Sequence, residues 1–205
     1  MQITVAWLKE KKACQEAIQE FEKKFGNEAE YQAVLDALAK ANRLNWASWL
    51  LNVAGGIDTI MRVNGDLKID GNLFFAGSIE ITGYLSAKLG IKAGWGIKAG
   101  WGIEAGWGIE AGAGIKAGWG IKAGEGIKAG WGIKASWGIK AGEVIKAGWG
   151  IEAGEGIKAG EVIKAGADFG IYCGLKTKIS SKSKYAVVSA KKRPKNLLLG
   201  EYKTP

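Results

Sequence analysis

Residues 90–112 read "GIKAGWGIKAGWGIEAGWGIEAG", a hexapeptide repeated almost without change. Counting in sixes from Ile91 reaches back through Leu85, Ile79, Leu73 and Leu67 to Met61. Counting forward it passes Ile97 and Ile163 to Phe169 and Leu175. All of these positions are apolar. Two places later comes a second apolar or small residue, Ile69, Phe75 and Ile81 first and then Ala93 and its successors, and the residue between is usually Lys or Glu. In–out–in over three residues is a short strand, because successive side chains point to opposite faces. Six residues are too few for an amphipathic helix, but they form one side of a triangular coil.

A longer period sets the coil. "AGEVIKAG" occurs at 141–148 and again eighteen residues later at 159–166. The same period sorts the corner residues into columns. Positions 101, 119, 137 and 155 read Trp, Trp, Trp, Glu, while 107, 125, 143 and 161 read Trp, Glu, Glu, Glu. Positions 95, 113, 131, 149 and 167 read Trp, Ala, Trp, Trp, Ala. The fold expected is mostly β: a triangular β-solenoid of three hexads, eighteen residues per coil, with a small helical N-terminal domain. Six to seven coils at ~4.8 Å each give a rod roughly 30 Å long. Each Ile then stacks on the Ile of the next coil and Ala keeps the prism narrow. Gly at 94, 100 and 106 is read as the backbone freedom of a sharp corner.

Three segments follow: 1–56 helical, 57–175 repetitive, and 176–205 without the hexad. In the first, Trp7, Cys14, Ala17, Ile18, Phe21 and Phe25 recur at helical spacing, predicting one helix that ends at Gly26. Asn27 with Glu30 predicts a capping-box start to a second helix carrying Tyr31, Val34, Leu35 and Leu38. "LNWASWLL" predicts a third helix after a break near Asn42, with "NVAGG" at 52–56 as the linker. In the last segment "KYAVVSA" and "NLLLGEY" predict two strands joined by "KKRPK" as a hairpin. This hairpin would cap one solenoid end and the helical domain the other.

The 33 Gly with only 2 Pro exclude collagen, and regular Ile excludes a flexible linker. The net charge of +9 is unevenly placed: zero over 1–56, +1 over 57–175 and +8 over 176–205. The basic character therefore belongs to the C-terminal segment. No run of apolar residues suits a membrane span, and the N-terminus lacks the charge order of a signal peptide. Cys14 and Cys173 lie far apart and suggest neither disulfide nor zinc. A cytoplasmic protein of a bacterial cell is expected, without cofactor or metal.

No catalytic constellation is found. The chain has no His, which removes Ser–His and Cys–His pairs and the common zinc sets. Asp66 and Asp70, or Glu125, Glu143 and Glu161, read as solvated surface charges. A non-enzymatic protein is expected. The candidate interface residues are Trp95, Trp101, Trp119, Trp131, Trp137 and Trp149 in the corner columns, with Trp46 and Trp49 in the helical segment. The corner rings either stack only to stiffen the rod or also form an association surface. Because Lys follows Ile on every side, no basic row is unique to the ring-bearing faces. Lys191, Lys192, Arg193 and Lys195 are candidate contacts to a nucleic-acid backbone.

"VNGDLKIDGNLFFAGSIEITGYLSAK" (63–88) resembles the β-helix of bactofilin-type proteins, and more distantly the hexapeptide-repeat helix of acyltransferases. "NRLNWASWLL", "ADFGIYCGLK" and "KKRPKNLLLGEYK" resemble segments of phage- and prophage-encoded proteins of unassigned activity. A homo-oligomer joined through the helices or the Trp faces, binding a protein partner, is expected from the residues themselves. The phage-like segments imply an accessory protein of a mobile element that inhibits a host defence complex in the manner of anti-CRISPR proteins. The bactofilin resemblance alone implies a self-assembling structural protein. Nucleic-acid binding through the basic C-terminus is the third reading.

Overall fold

The computed structural model describes residues 1–177 and 179–205; Lys178, one of the basic residues of the C-terminal segment, lies outside the described residues. Ile103 pairs in parallel with Ile121, and Ile121 with Ile139, each eighteen residues on. The coils stack into a three-sided prism with sheets of eight, eight and six parallel strands. Each side takes its name from one of its outward lysines. The Lys98 face runs from Ile60–Val63 to Leu197–Leu199, the Lys122 face from Leu67–Ile69 to Glu201–Lys203, and the Lys128 face from Leu73–Phe75 to Val162–Lys164. The repeat Ile and Ala side chains form one continuous buried core. Burying one Ile is worth roughly 1.5–3 kcal/mol, and the stack repeats that gain at every hexad.

Glycine at the corners has a different cause from the one expected. None of the repeat glycines adopts positive φ; the positive values belong to Gly26, Gly55, Gly65, Gly174 and Gly200, outside the regular hexads. The constraint is close approach. A Cβ on Gly118 would lie 1.7 Å from the Gly100 carbonyl oxygen, and one on Gly112 would lie 2.1 Å from that of Gly94. Ser136 is the natural exception in this column. Its N–H reaches the Ala117 carbonyl at 3.3 Å, against 3.1 Å for Gly118 to Ala99.

The hexad count fails near its end. Ile151 pairs with Ile171, twenty residues on, so two residues are inserted in that coil. Ile171 and Cys173 take the inward places, while Phe169 and Leu175, expected in the core, are exposed. "GADFGI" offers an apolar residue at two nearby positions, and only the continuing sheet selects between them.

The C-terminal strands are not a hairpin. Val187–Ser189 pairs in parallel with Ile157–Lys158 and with Glu201–Lys203, and Leu197–Leu199 pairs with Ile171–Cys173. The chain after 176 therefore continues the coil, because an open parallel edge offers each new strand its backbone partners.

The N-terminal region differs in three details. Gln2–Thr4 and Glu28–Glu30 form an antiparallel strand pair, which overrides the helix preference of "EAE". The expected first helix is two, α1 (Val5–Glu10) and α2 (Gln15–Phe25), split by Lys12 at φ 60. The Lys12 N–H closes the turn onto the Lys9 carbonyl. Glu30, not Asn27, caps α3 (Tyr31–Lys40), its carboxylate accepting from Ala33 N–H. The fourth helix, α4, spans Leu44–Ala54 and takes in the start of the expected linker; Asn42, at φ 54, makes the predicted break before it.

These helices do not close the solenoid's first end. They lie against the Lys128 face, where outward-pointing Phe74 joins their buried cluster. Gln32 fastens α3 to the backbone of Phe74 and Ala76, and Asn72 donates to the Ala39 carbonyl. At the first coil Ile60 stays exposed.

Candidate functional site

The eighteen-residue period places like corner residues one above another. Trp119 N–H donates to the Trp101 carbonyl and Trp137 N–H to that of Trp119, which fixes the backbone beneath the rings. The rings follow. Trp101 and Trp119 stack at 5.4 Å with planes 6° apart, and Trp119 and Trp137 at 5.2 Å and 4°. On a second corner Trp131 and Trp149 stack at 5.1 Å and 5°. Each such contact contributes about 0.5–1.5 kcal/mol. The six indoles of the two Trp-rich corners remain 38–52% exposed, although five of them stack.

Sequence reading missed the ends of both ladders. Tyr84 meets Trp101 and Trp119 edge-on at 5.3 and 5.4 Å. The signal was the inverted order Gly83-Tyr84, where the repeat has Trp101-Gly102. Phe169, counted as core, instead stacks on Trp149 at 5.7 Å. Trp95 is separated from its column by Ala113. It lies over Gly56, where a Cβ would come within 2.3 Å of its ring, and reaches Trp131 edge-on at 6.4 Å.

Each ladder is one wall of a shallow groove. The groove on the Lys98 face encloses about 690 Å³ between Trp95, Trp131, Trp149 and the column Lys98, Lys116, Lys134, over a floor of glycines. The groove on the Lys122 face encloses about 560 Å³ between Trp119, Trp137 and the column Lys122, Lys140, Lys158. A basic row therefore runs beside each ring row, and a third column, Lys128, Lys146 and Lys164, runs along the remaining face, so a basic row is not unique to the ring-bearing faces. Lys122 pairs with Glu104 at 2.6 Å and Lys134 with Glu152. Lys98, Lys116, Lys140 and Lys158 form no ion pair among the described residues. The acidic corner Glu125, Glu143 and Glu161 stacks away from both grooves, and no cluster of described residues suits a metal ion.

The basic C-terminal cluster is partly engaged. Lys191 pairs with Glu161, and Arg193 lies 6.0 Å from the Tyr202 ring, while Lys192 and Lys195 are exposed. Trp46 and Trp49 are half-buried. Arg43 covers Trp46 at 4.5 Å and Trp7 meets Trp49 edge-on at 6.4 Å.

One buried polar group joins the two parts of the molecule. Lys92, only 8% exposed, donates to Glu110 Oε2 at 2.6 Å and to Ser48 Oγ on α4, and Ser48 in turn donates to the same carboxylate at 3.1 Å. Burial works against charge on Glu110. The Lys92 ammonium, the hydrogen bonds from Lys92 and Ser48, and nearby Lys128 outweigh it and hold the carboxyl below its usual range. In this pair Lys92 is the donor and Ser48 the acceptor, the reverse of a serine activated by a basic lysine. Burial pushes the Cys173 thiol up to about 11, and its Sγ donates to the Glu155 carbonyl.

The helical region that carries Ser48 bears a family signature. Residues 1–54 match the YdhT N-terminal domain. The match ends at the last residue of α4, so the YdhT-like region comprises the four helices and their strand pair and stops before the solenoid. No curated protein and no solved structure matches the chain. No helix among the described residues is long and apolar enough to cross a membrane.

Proposed function

We propose that this protein is a non-enzymatic binding protein, with a rigid solenoid that presents two indole ladders to protein partners. The observation that carries the reading is the pair of stacked, exposed Trp columns, each bordered by a lysine column in which two members, Lys98 and Lys116 on one face and Lys140 and Lys158 on the other, form no ion pair among the described residues. Contiguous exposed apolar surface of this kind marks association. Trp is also enriched in the energetic centres of interfaces. The unpaired lysines favour a partner surface with an acidic rim. The absence of His from the sequence and the donor role of Lys92 toward Ser48 support a role without catalysis.

Two ladders on separate corners allow one copy to hold a second copy and a foreign partner together, and a small homo-oligomer is the assembly proposed. For the partner we propose a host defence complex in the bacterial cytoplasm, obstructed as an anti-CRISPR protein obstructs its target. That step rests on the resemblance of the terminal segments to phage-encoded proteins.

The test compares wild type with Trp119→Ala/Trp137→Ala and Trp131→Ala/Trp149→Ala, using light scattering for self-association and co-purification from a phage host for the partner. Loss of either association in one double variant, with an unchanged melting profile, supports the reading. Wild-type association in both variants refutes it. Retention on DNA that is lost on replacing Lys191, Lys192, Arg193 and Lys195 would replace it with nucleic-acid binding.

A further inference from the structure

The YdhT-like helices enclose a cavity that the ladders do not use. It measures about 330 Å³, within the size range of small-molecule sites. All four helices contribute walls, chiefly Leu8, Phe21, Phe25, Leu38, Trp49 and Leu50. No buried side-chain nitrogen or oxygen among the described residues lacks a hydrogen-bond partner, so the interior makes no polar demand. A cavity of this kind accepts an apolar body.

The mouth is different. Lys12, Lys24 and Glu20 border it. Glu20 is neutralised by Arg43, which also pairs with Glu16 and covers Trp46. Lys12 and Lys24 form no ion pair among the described residues. Lys12 is held at the opening by the left-handed turn between α1 and α2, and the Lys24 ammonium lies 5.8 Å from the Phe25 ring. The result is an apolar interior beneath two uncompensated positive charges.

We propose that this cavity binds a small free amphipathic anion, a medium-chain or aryl carboxylate, with its chain among the aromatic walls and its carboxylate at Lys12 and Lys24. Both charges draw a single carboxylate to the mouth, and burial of the chain supplies affinity that the ion pairs alone would not.

Titration calorimetry on the full-length chain tests this with three probes: decanoate, decyltrimethylammonium of equal chain length, and vesicles of phosphatidylglycerol. Decanoate is expected to bind saturably below ~1 mM and about tenfold or more tighter than the ammonium probe. Lys12→Glu/Lys24→Glu should reverse that preference, and Leu38→Trp should abolish binding by filling the cavity while helix content stays unchanged. No decanoate binding, equal affinity for both charges, or persistence of the preference in the double variant would each overturn the proposal. So would binding only to vesicles, which would make the mouth a membrane-contact surface. Decanoate-insensitive dimerisation abolished by Phe25→Glu would make it an interface between copies and overturn it as well.

Discussion

The Lys92–Glu110–Ser48 group permits a quantitative test of how the helices are held to the solenoid. Glu110→Gln leaves the Lys92 ammonium in place without its countercharge, with only the neutral Ser48 hydroxyl and the carbonyl oxygen of the new amide as acceptors. Breaking a fully buried pair from one side costs about 3–5 kcal/mol. The Glu110 side chain is 32% exposed while that of Lys92 is 10%, so water relieves part of the penalty. The expected loss is about 1–3 kcal/mol in the stability of the helical region. Replacing both charges with apolar residues, Lys92→Met/Glu110→Leu, removes the desolvation cost together with the attraction. It should fall within about 1 kcal/mol of wild type.

The pH dependence has a definite sign. The Glu110 carboxyl is held below its unfolded value, so its contribution is complete above pH ~4.3 and is lost as pH falls through the lower folded value. The assay is urea unfolding followed by far-ultraviolet circular dichroism, from neutral pH into acid. If Glu110→Gln unfolds its helices at the wild-type urea concentration at neutral pH, or if the double variant is as weak as the single, the clamp as described does not exist.

Three further outcomes are expected. Gly118→Ala sets a Cβ 1.7 Å from the Gly100 oxygen and strains the bonds from Gly118 to Ala99 and from Trp119 to Trp101. At ~1 kcal/mol per bond it should lose about 1–3 kcal/mol, whereas Gly114→Ala, with 3.3 Å of clearance, should lose under about 1 kcal/mol in the same thermal melts. Buried Cys173 is pushed up to about 11, so a thiol reagent at neutral pH should modify exposed Cys14 alone in the folded protein and both cysteines in urea. Phe169→Ala removes the last ring stacked on Trp149 and should raise the exposure of Trp149 to acrylamide quenching while costing no more than about 1.5 kcal/mol. A loss of several kcal/mol there would show that Phe169 belongs to the core after all.

The coil was legible in the sequence because its rule is local. An apolar residue every six positions and a corner residue repeating every eighteen specify which side chains face inward and which neighbours they meet. Parallel stacking then copies that arrangement from coil to coil, as the pairing of Ile103, Ile121 and Ile139 shows. The columns Trp101, Trp119 and Trp137 followed from the same count. The candidate site was legible in its rings and in its lysine columns, but the placing of a lysine row directly beside each ring row was not. That row is adjacent only after three-residue strands have set Trp at one edge of a face and Lys on its outward surface.

What the tertiary structure alone decided lies where several local solutions are nearly equal in energy. The inserted pair before Ile171, the left-handed Lys12 and the strand of "EAE" carry no strong signal of their own. Each is selected by the edge or face against which it packs. The seating of the YdhT-like helices on the Lys128 face belongs to the same class. It depends on Phe74 pointing outward into an apolar cluster and on Ser48 meeting Lys92 and Glu110 across long stretches of chain. A repeat dictates its own stacking because each unit meets a copy of itself. A contact between unlike parts has no such rule and exists only once the whole surface has formed.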